Sequence, residues 1–116
     1  MKTASLLFIA FICLGCEKDD PPTAPTTYAV EYTVTGTAAN VSVTYALADG
    51  GTSQIGDTPT PWSYEFRAVK GTFVYVSAQN QTETGTVTAT ILRDGREFKT
   101  ATSTGAYVIA TSSGSL

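Results

Sequence analysis

The side chains in this sequence that could carry chemistry are few and scattered. Asp49, Asp57, Glu65, Glu83, Asp94 and Glu97 are the carboxylates from which an acid–base pair of the kind used in glycoside hydrolysis would be drawn. Most sit at turn positions, where acidic residues serve the backbone, and no spacing selects two of them. The 116 residues include no histidine, which excludes Ser-His-Asp arrangements, imidazole proton transfer and His-ligated zinc. The stretch DGGTSQIGD, Asp49 to Asp57, places two acids near glycines but lacks the dense carboxylate spacing of a calcium loop. Arg93 and Arg96 flank Asp94–Gly95; they are a candidate anion-binding pair, although Asp94 and Glu97 beside them favour a solvated charge cluster. No catalytic residue, metal ligand or non-covalent cofactor follows from these residues, and an enzyme is not expected.

The two cysteines are a different matter. Met1–Lys2 is a short basic start, and Ala4 to Gly15, ASLLFIAFICLG, is apolar. A helix needs about 20 apolar residues to cross a bilayer, and this run of about 12 fits a signal-peptide core instead. Cys13-Leu-Gly-Cys16 resembles a bacterial lipobox, in which small residues precede a cysteine that becomes the acylated first residue of the mature protein. Cys13 stands where Leu, Val or Ile is usual. The expected lipid attachment is Cys16, which leaves the following domain without a thiol or disulfide. Glu17, Lys18, Asp19 and Asp20 resemble the acidic export signal that surface lipoproteins of Bacteroidetes-type bacteria carry after the anchor; the plainer reading is a solvated start to a linker.

Residues 16–27 then form a tether. Pro21, Pro22 and Pro25 lie among small polar residues, so Glu17 to Thr27 is expected to be extended, reaching roughly 34 Å at about 3.1 Å per residue. The expected address is the cell envelope, as an outer-membrane lipoprotein on the cell surface, with membrane lipid as the first partner. A net charge of -3 with seven unclustered basic residues has no footprint for nucleic acid. The sequons at Asn40 and Asn80 are chance matches at a bacterial address.

The elements that must position any site are strands. From Tyr28 to Leu116 the pattern alternates with period two and has no useful helical stretch. Val30, Tyr32 and Val34 share one face, as do Val41, Val43, Tyr45 and Leu47, and then Trp62, Tyr64 and Phe66. A short strand is expected near Thr52 to Ile55, and Pro59 and Pro61 forbid a central strand before Trp62. A tight turn at Lys70–Gly71 would pair Phe66 with Tyr75 and Ala68 with Phe73. A type I′ turn at Asp94–Gly95 would set Ile91 opposite Phe98, Ala89 opposite Thr100 and Arg93 opposite Arg96. Ala106 to Ala110 reads as the last strand. Seven or eight short strands at this spacing predict an all-β, antiparallel, immunoglobulin-like sandwich, with Trp62 mostly buried; its alternative role is an exposed sugar-stacking platform.

Two long stretches, VTYALADGGTSQIGDTPTPWSYEF from Val43 and VYVSAQNQTETGTVTATILRDGREFKTATSTGAYVIA from Val74, resemble the domain of the mycobacterial small membrane protein (MmpS) family. The shared features are the Asp49–Gly50 turn, Pro61–Trp62 opening an aromatic strand, Ser77 to Asn80, the Asp94–Gly95 hairpin and Thr104 to Tyr107. The resemblance implies a small β-sandwich outside a membrane that assists a resistance-nodulation-division transporter exporting lipids or siderophores. That family has a transmembrane helix where this chain has the expected lipid. Transport accessory is therefore the first functional expectation, and a surface module binding carbohydrate or another cell-surface ligand is the second. Trp62, Asn80 and the loops Gly56 to Pro61 and Asn80 to Gly85 are the candidate contacts. For the anchor, Cys16→Ser is expected to abolish acyl labelling in the source cell and Cys13→Ser to leave it nearly intact; label retained in the Cys16 variant would refute the assignment.

Overall fold

A computed structural model describes residues 25–116; the expectations for Cys16 and for Glu17, Lys18, Asp19 and Asp20 fall outside the described residues. Eight strands follow: β1 (Thr27–Thr35), β2 (Asn40–Ala46), β3 (Thr52–Pro59), β4 (Trp62–Val69), β5 (Phe73–Asn80), β6 (Thr86–Arg93), β7 (Arg96–Thr104) and β8 (Ile109–Ser115). They form two antiparallel four-stranded sheets, ordered β4-β1-β6-β7 and β3-β2-β5-β8. The fold is the expected all-β sandwich. Among the described residues there is no helix long and apolar enough to cross a membrane.

The period-two pattern sorts each strand's side chains between core and solvent. Val30, Tyr32 and Val34 on β1 and Val87, Ala89 and Ile91 on β6 face Val41, Val43 and Tyr45 on β2 and Val74, Val76 and Ala78 on β5, all of them buried. The central strands of both sheets thus build the core, and β-branched valines dominate it because they suit a pleated, packed surface.

Tyr32 fastens the two sheets to each other. The ladder between β2 and β5 ends at Tyr45 and Val76, which leaves the next carbonyl on β2 and the next amide on β5 without a ladder partner. The Tyr32 hydroxyl, reaching across from β1, donates to the Ala46 carbonyl at 2.8 Å and accepts from the Tyr75 amide at 3.3 Å. Rings pack around it: Phe66 at 5.1 Å and Tyr45 at 6.0 Å between centroids. A second fastening, from the buried Ser112 hydroxyl to the Ala89 carbonyl at 2.7 Å, joins β8 to β6.

Four local expectations need correction. Lys70 to Thr72 is not a hairpin turn, because β4 pairs with β1, matching Tyr64 to Tyr32 and Phe66 to Val30, while β5 lies in the other sheet. Phe66 therefore does not meet Tyr75; Val74, Val76 and Ala78 are the inward residues of β5, and Phe73 stacks on Tyr75 outside, centroids 6.2 Å apart. Alternation specifies which residues face inward on a strand, not which strand it joins. The Asp94–Gly95 turn has the two positive φ values, 53° and 80°, that a type I′ turn requires, and Arg93 does face Arg96. A bulge beyond it, however, sets Lys99 opposite Ile91 and Ala101 opposite Ala89. The bulge leaves Phe98 as the extra residue, packed against the core beside Arg93. β3 extends to Pro59 through a bulge with Asp57 at φ 61°; as an edge strand it tolerates the proline. The last strand begins at Ile109, and Ala106 to Val108 is a turn with Tyr107 at φ 56°.

Burial pushes the Tyr32 phenol up to about 12, through loss of water around the phenolate, partly offset by the Tyr75 amide. In the unfolded chain the same phenol titrates near 10. The unfolded state therefore loses the proton first, so this contribution is intact below about pH 10 and is lost as pH rises towards 12. Tyr32→Phe is expected to cost about 1 to 3 kcal/mol at neutral pH by stranding the Ala46 and Tyr75 groups. It should also flatten the alkaline fall in stability, as read by denaturant melts of both proteins between pH 9 and 12.

Candidate functional site at the distal loops

Consecutive strands run in opposite directions, so their connections alternate between the two ends of the sandwich. Residues 47–51, 70–72 and 94–95 lie at the end where the chain arrives from Pro25, held by the Lys70 amide on the Thr26 carbonyl at 2.7 Å. The connections 36–39, 60–61, 81–85 and 105–108 gather at the other, distal end. Both expected contact loops, Gly56 to Pro61 and Asn80 to Gly85, thus reach the same end.

Backbone bonds tie the distal loops to one another. Ala38 donates to the Thr86 carbonyl at 3.0 Å, Gly105 to Gly85 at 2.9 Å and Tyr107 to Thr82 at 3.2 Å. Thr60 Oγ1 donates to the Ala38 carbonyl at 2.8 Å. Gly85 is a position that only glycine fills: φ is +111°, and a Cβ there would lie 2.9 Å from the Ala38 backbone.

Asn80 is the centre of this arrangement. Its side chain is 0% exposed. Nδ2 donates to the carbonyls of Thr84 and Gly105, each at 2.9 Å, and Oδ1 accepts from the Thr82 amide at 2.8 Å and its hydroxyl at 2.7 Å. Two donors and two acceptor sites are all taken, so Asn80 shapes the loops from inside and offers no surface. Trp62 is partly buried at the start of β4, tilted against Tyr45 with centroids 5.1 Å apart. It is neither a fully enclosed anchor nor an open platform.

The residues that the distal end does present are Tyr107, 52% exposed, and Ile109, 53% exposed. Gln79 Nε2 donates to the Tyr107 carbonyl at 3.1 Å, holding that turn against β5. Asp57 and Glu83 are also exposed towards this end. Sequence reading placed Tyr107 inside a strand and missed this role; the available signal was Thr104–Gly105, a turn dipeptide just before it.

The scattered carboxylates stay scattered, with one exception. Glu65 stands directly opposite Glu31 in the β1–β4 register, on the outer face, in an open depression of about 390 Å³ shared with Arg67 and Leu92. Among the described residues no three His, Cys, Asp or Glu side chains come together as metal ligands would. No family model matches the chain, and no curated protein matches it.

Asn80→Ala is expected to destabilise the domain by about 2 to 4 kcal/mol, since it strands several buried polar groups. Amide exchange at Thr82 and Gly105 should accelerate more than exchange at the core residues of β1; uniform acceleration would show that the loops do not depend on Asn80.

Proposed function

We infer that the protein is a lipid-anchored, non-catalytic contact domain of the cell envelope, displayed from the outer membrane, whose working surface is its distal loop end. The observation that carries this reading is the opposition of the two ends: the chain arrives from its expected lipid at one, while exposed Tyr107, on the mutually bonded loops, and exposed Ile109, at the start of β8, sit at the other. Large exposed apolar side chains on braced loops suit protein contact, in which aromatic anchors provide most of the energy. A tether holding the domain near membrane machinery raises its effective concentration, so a small interface suffices.

The partner we propose is a membrane export complex of the resistance-nodulation-division type, as the MmpS resemblance implies. Crosslinking in native membranes, followed by identification of captured proteins, is expected to recover transporter subunits. Tyr107→Ala with Ile109→Ala should cut the yield roughly tenfold or more, the scale of losing a hot-spot residue. Recovery of glycan or polysaccharide-binding proteins, with transporter subunits missing from repeated captures, would replace this reading with the carbohydrate-binding alternative.

A further inference from the structure

A sheet ends in strands whose outer N–H and C=O groups lack ladder partners, and proteins blunt such edges with bulges, prolines or covering side chains. This sandwich has four edge strands, β3, β4, β7 and β8. Three of them are blunted. β3 is interrupted by a bulge, holds Asp57 at φ 61° and ends on Pro59. β7 carries the bulge at Phe98, and it and β8 shield each other: Ser103 Oγ donates to the Ile109 carbonyl at 2.7 Å, and a Cβ on Gly114 would lie 3.0 Å from the Phe98 ring.

β4 has none of these devices. Its register on β1 runs unbroken from Trp62 to Val69, without proline or bulge. Among the described residues no backbone hydrogen bond joins it to β3, the edge of the other sheet on the same flank. Its inward side chains, Trp62, Tyr64 and Phe66, pack on the core yet stay only partly buried. An open, regular edge of this kind is a template for a further strand.

The outward side chains of β4 indicate whose strand that is. Glu65 and Arg67 are exposed, and Glu65 stands opposite Glu31 on β1, with Leu92 as the next residue of that row on β6. The row holds a like-charge pair and no cation opposite either member. A strand added beyond β4 can supply one, because residues directly opposite on one face interact. Antiparallel pairing of β4 with the β4 of a second copy, about a two-fold axis at Phe66, sets Arg67 of the second copy opposite Glu65 and Glu65 of the second copy opposite Arg67. Both charge pairs lie on the outer face, and Phe66 meets its own counterpart on the inner one. An axis at Glu65 would instead oppose two carboxylates, and an axis at Arg67 two guanidiniums. Arg67 gives one N–H to the Thr27 hydroxyl at 3.0 Å, and its other donors remain for a carboxylate. We propose that β4 is a self-association edge, through which two copies of this chain pair antiparallel and join their β4-β1-β6-β7 sheets into one. Such a dimer needs neither the anchor nor the distal loops, and its failure would leave the reading above untouched.

The test is disulfide trapping on the full chain in source-cell membranes. In this register Ser63 falls opposite Val69 of the second copy, at a spacing that a disulfide spans, whereas within one chain the two lie at opposite ends of β4. Ser63→Cys with Val69→Cys is expected to give a covalent dimer under mild oxidation, and either change alone only the background of the N-terminal cysteines. Added to that double-cysteine chain, Glu65→Arg or Arg67→Glu makes both cross-seam pairs like-charged and should lower the dimer yield about tenfold. Glu65→Arg also removes the repulsion from Glu31, so a lost dimer with an undiminished thermal melt is read as a lost seam and not as a lost fold. Coexpression of the two charge variants restores opposite charges at both positions and should restore the yield as a mixed dimer. No dimer from the double-cysteine chain, or a yield that the charge changes leave alone, would overturn the proposal. A disulfide adduct with another protein in place of the dimer would overturn it too, and would give the β4 edge to a foreign strand.

Discussion

Two sheets of short strands become one domain only if something holds them in a single relative placement, and in this protein that is the Tyr32 hydroxyl. Hydrophobic packing of valines is non-directional, so many offsets of one sheet over the other would bury similar area. The hydroxyl's bonds to Ala46 and Tyr75 select one of them, because in every other offset buried backbone groups would lack partners. The placement of Tyr45 against Trp62 and Tyr64 follows from it. So does the alignment by which β8 reaches β6 through Ser112. A buried polar contact thus supplies specificity where the apolar core supplies most of the stability.

That placement also gives the molecule its polarity. With every strand reversing direction, loops sort to two ends, and the residues they carry differ. One end has five cations among five acids, with Val69 and Phe73 beside the arriving chain; the other has braced loops, two acids, Tyr107 and Ile109.

Rigidity at the distal end comes from buried polar groups rather than from apolar packing. Asn80 is enclosed and fully bonded, and Gly85 allows the backbone of Ala38 to approach closely. Loops built this way pay little ordering entropy on contact, which favours recognition by a preformed surface.

Strand number, the inward faces of β1, β2 and β4 and the Asp94–Gly95 turn were legible in the sequence because they depend on local rules: alternation with period two, and the positive φ that Asp-Gly tolerates. Strand partnership was not. Phe66 had a plausible partner in Tyr75 across a tight turn, yet the chain crosses between sheets there, because only the assembled core shows that β4 covers β1's edge better than it covers β5. Asn80 read as a surface contact and proved internal, since its burial depends on the Gly105 carbonyl, brought by a turn 25 residues away, as well as on the Thr84 carbonyl of the adjoining loop. The five cations of the described domain fall in two short stretches, Arg67 to Lys70 and Arg93 to Lys99, and only the register brings those stretches to one half of the sandwich, among five acids. Residue types and their periodicity determined the fold class and the expected anchor; the direction and pairing of strands, which are long-range, decided where every candidate site residue lies.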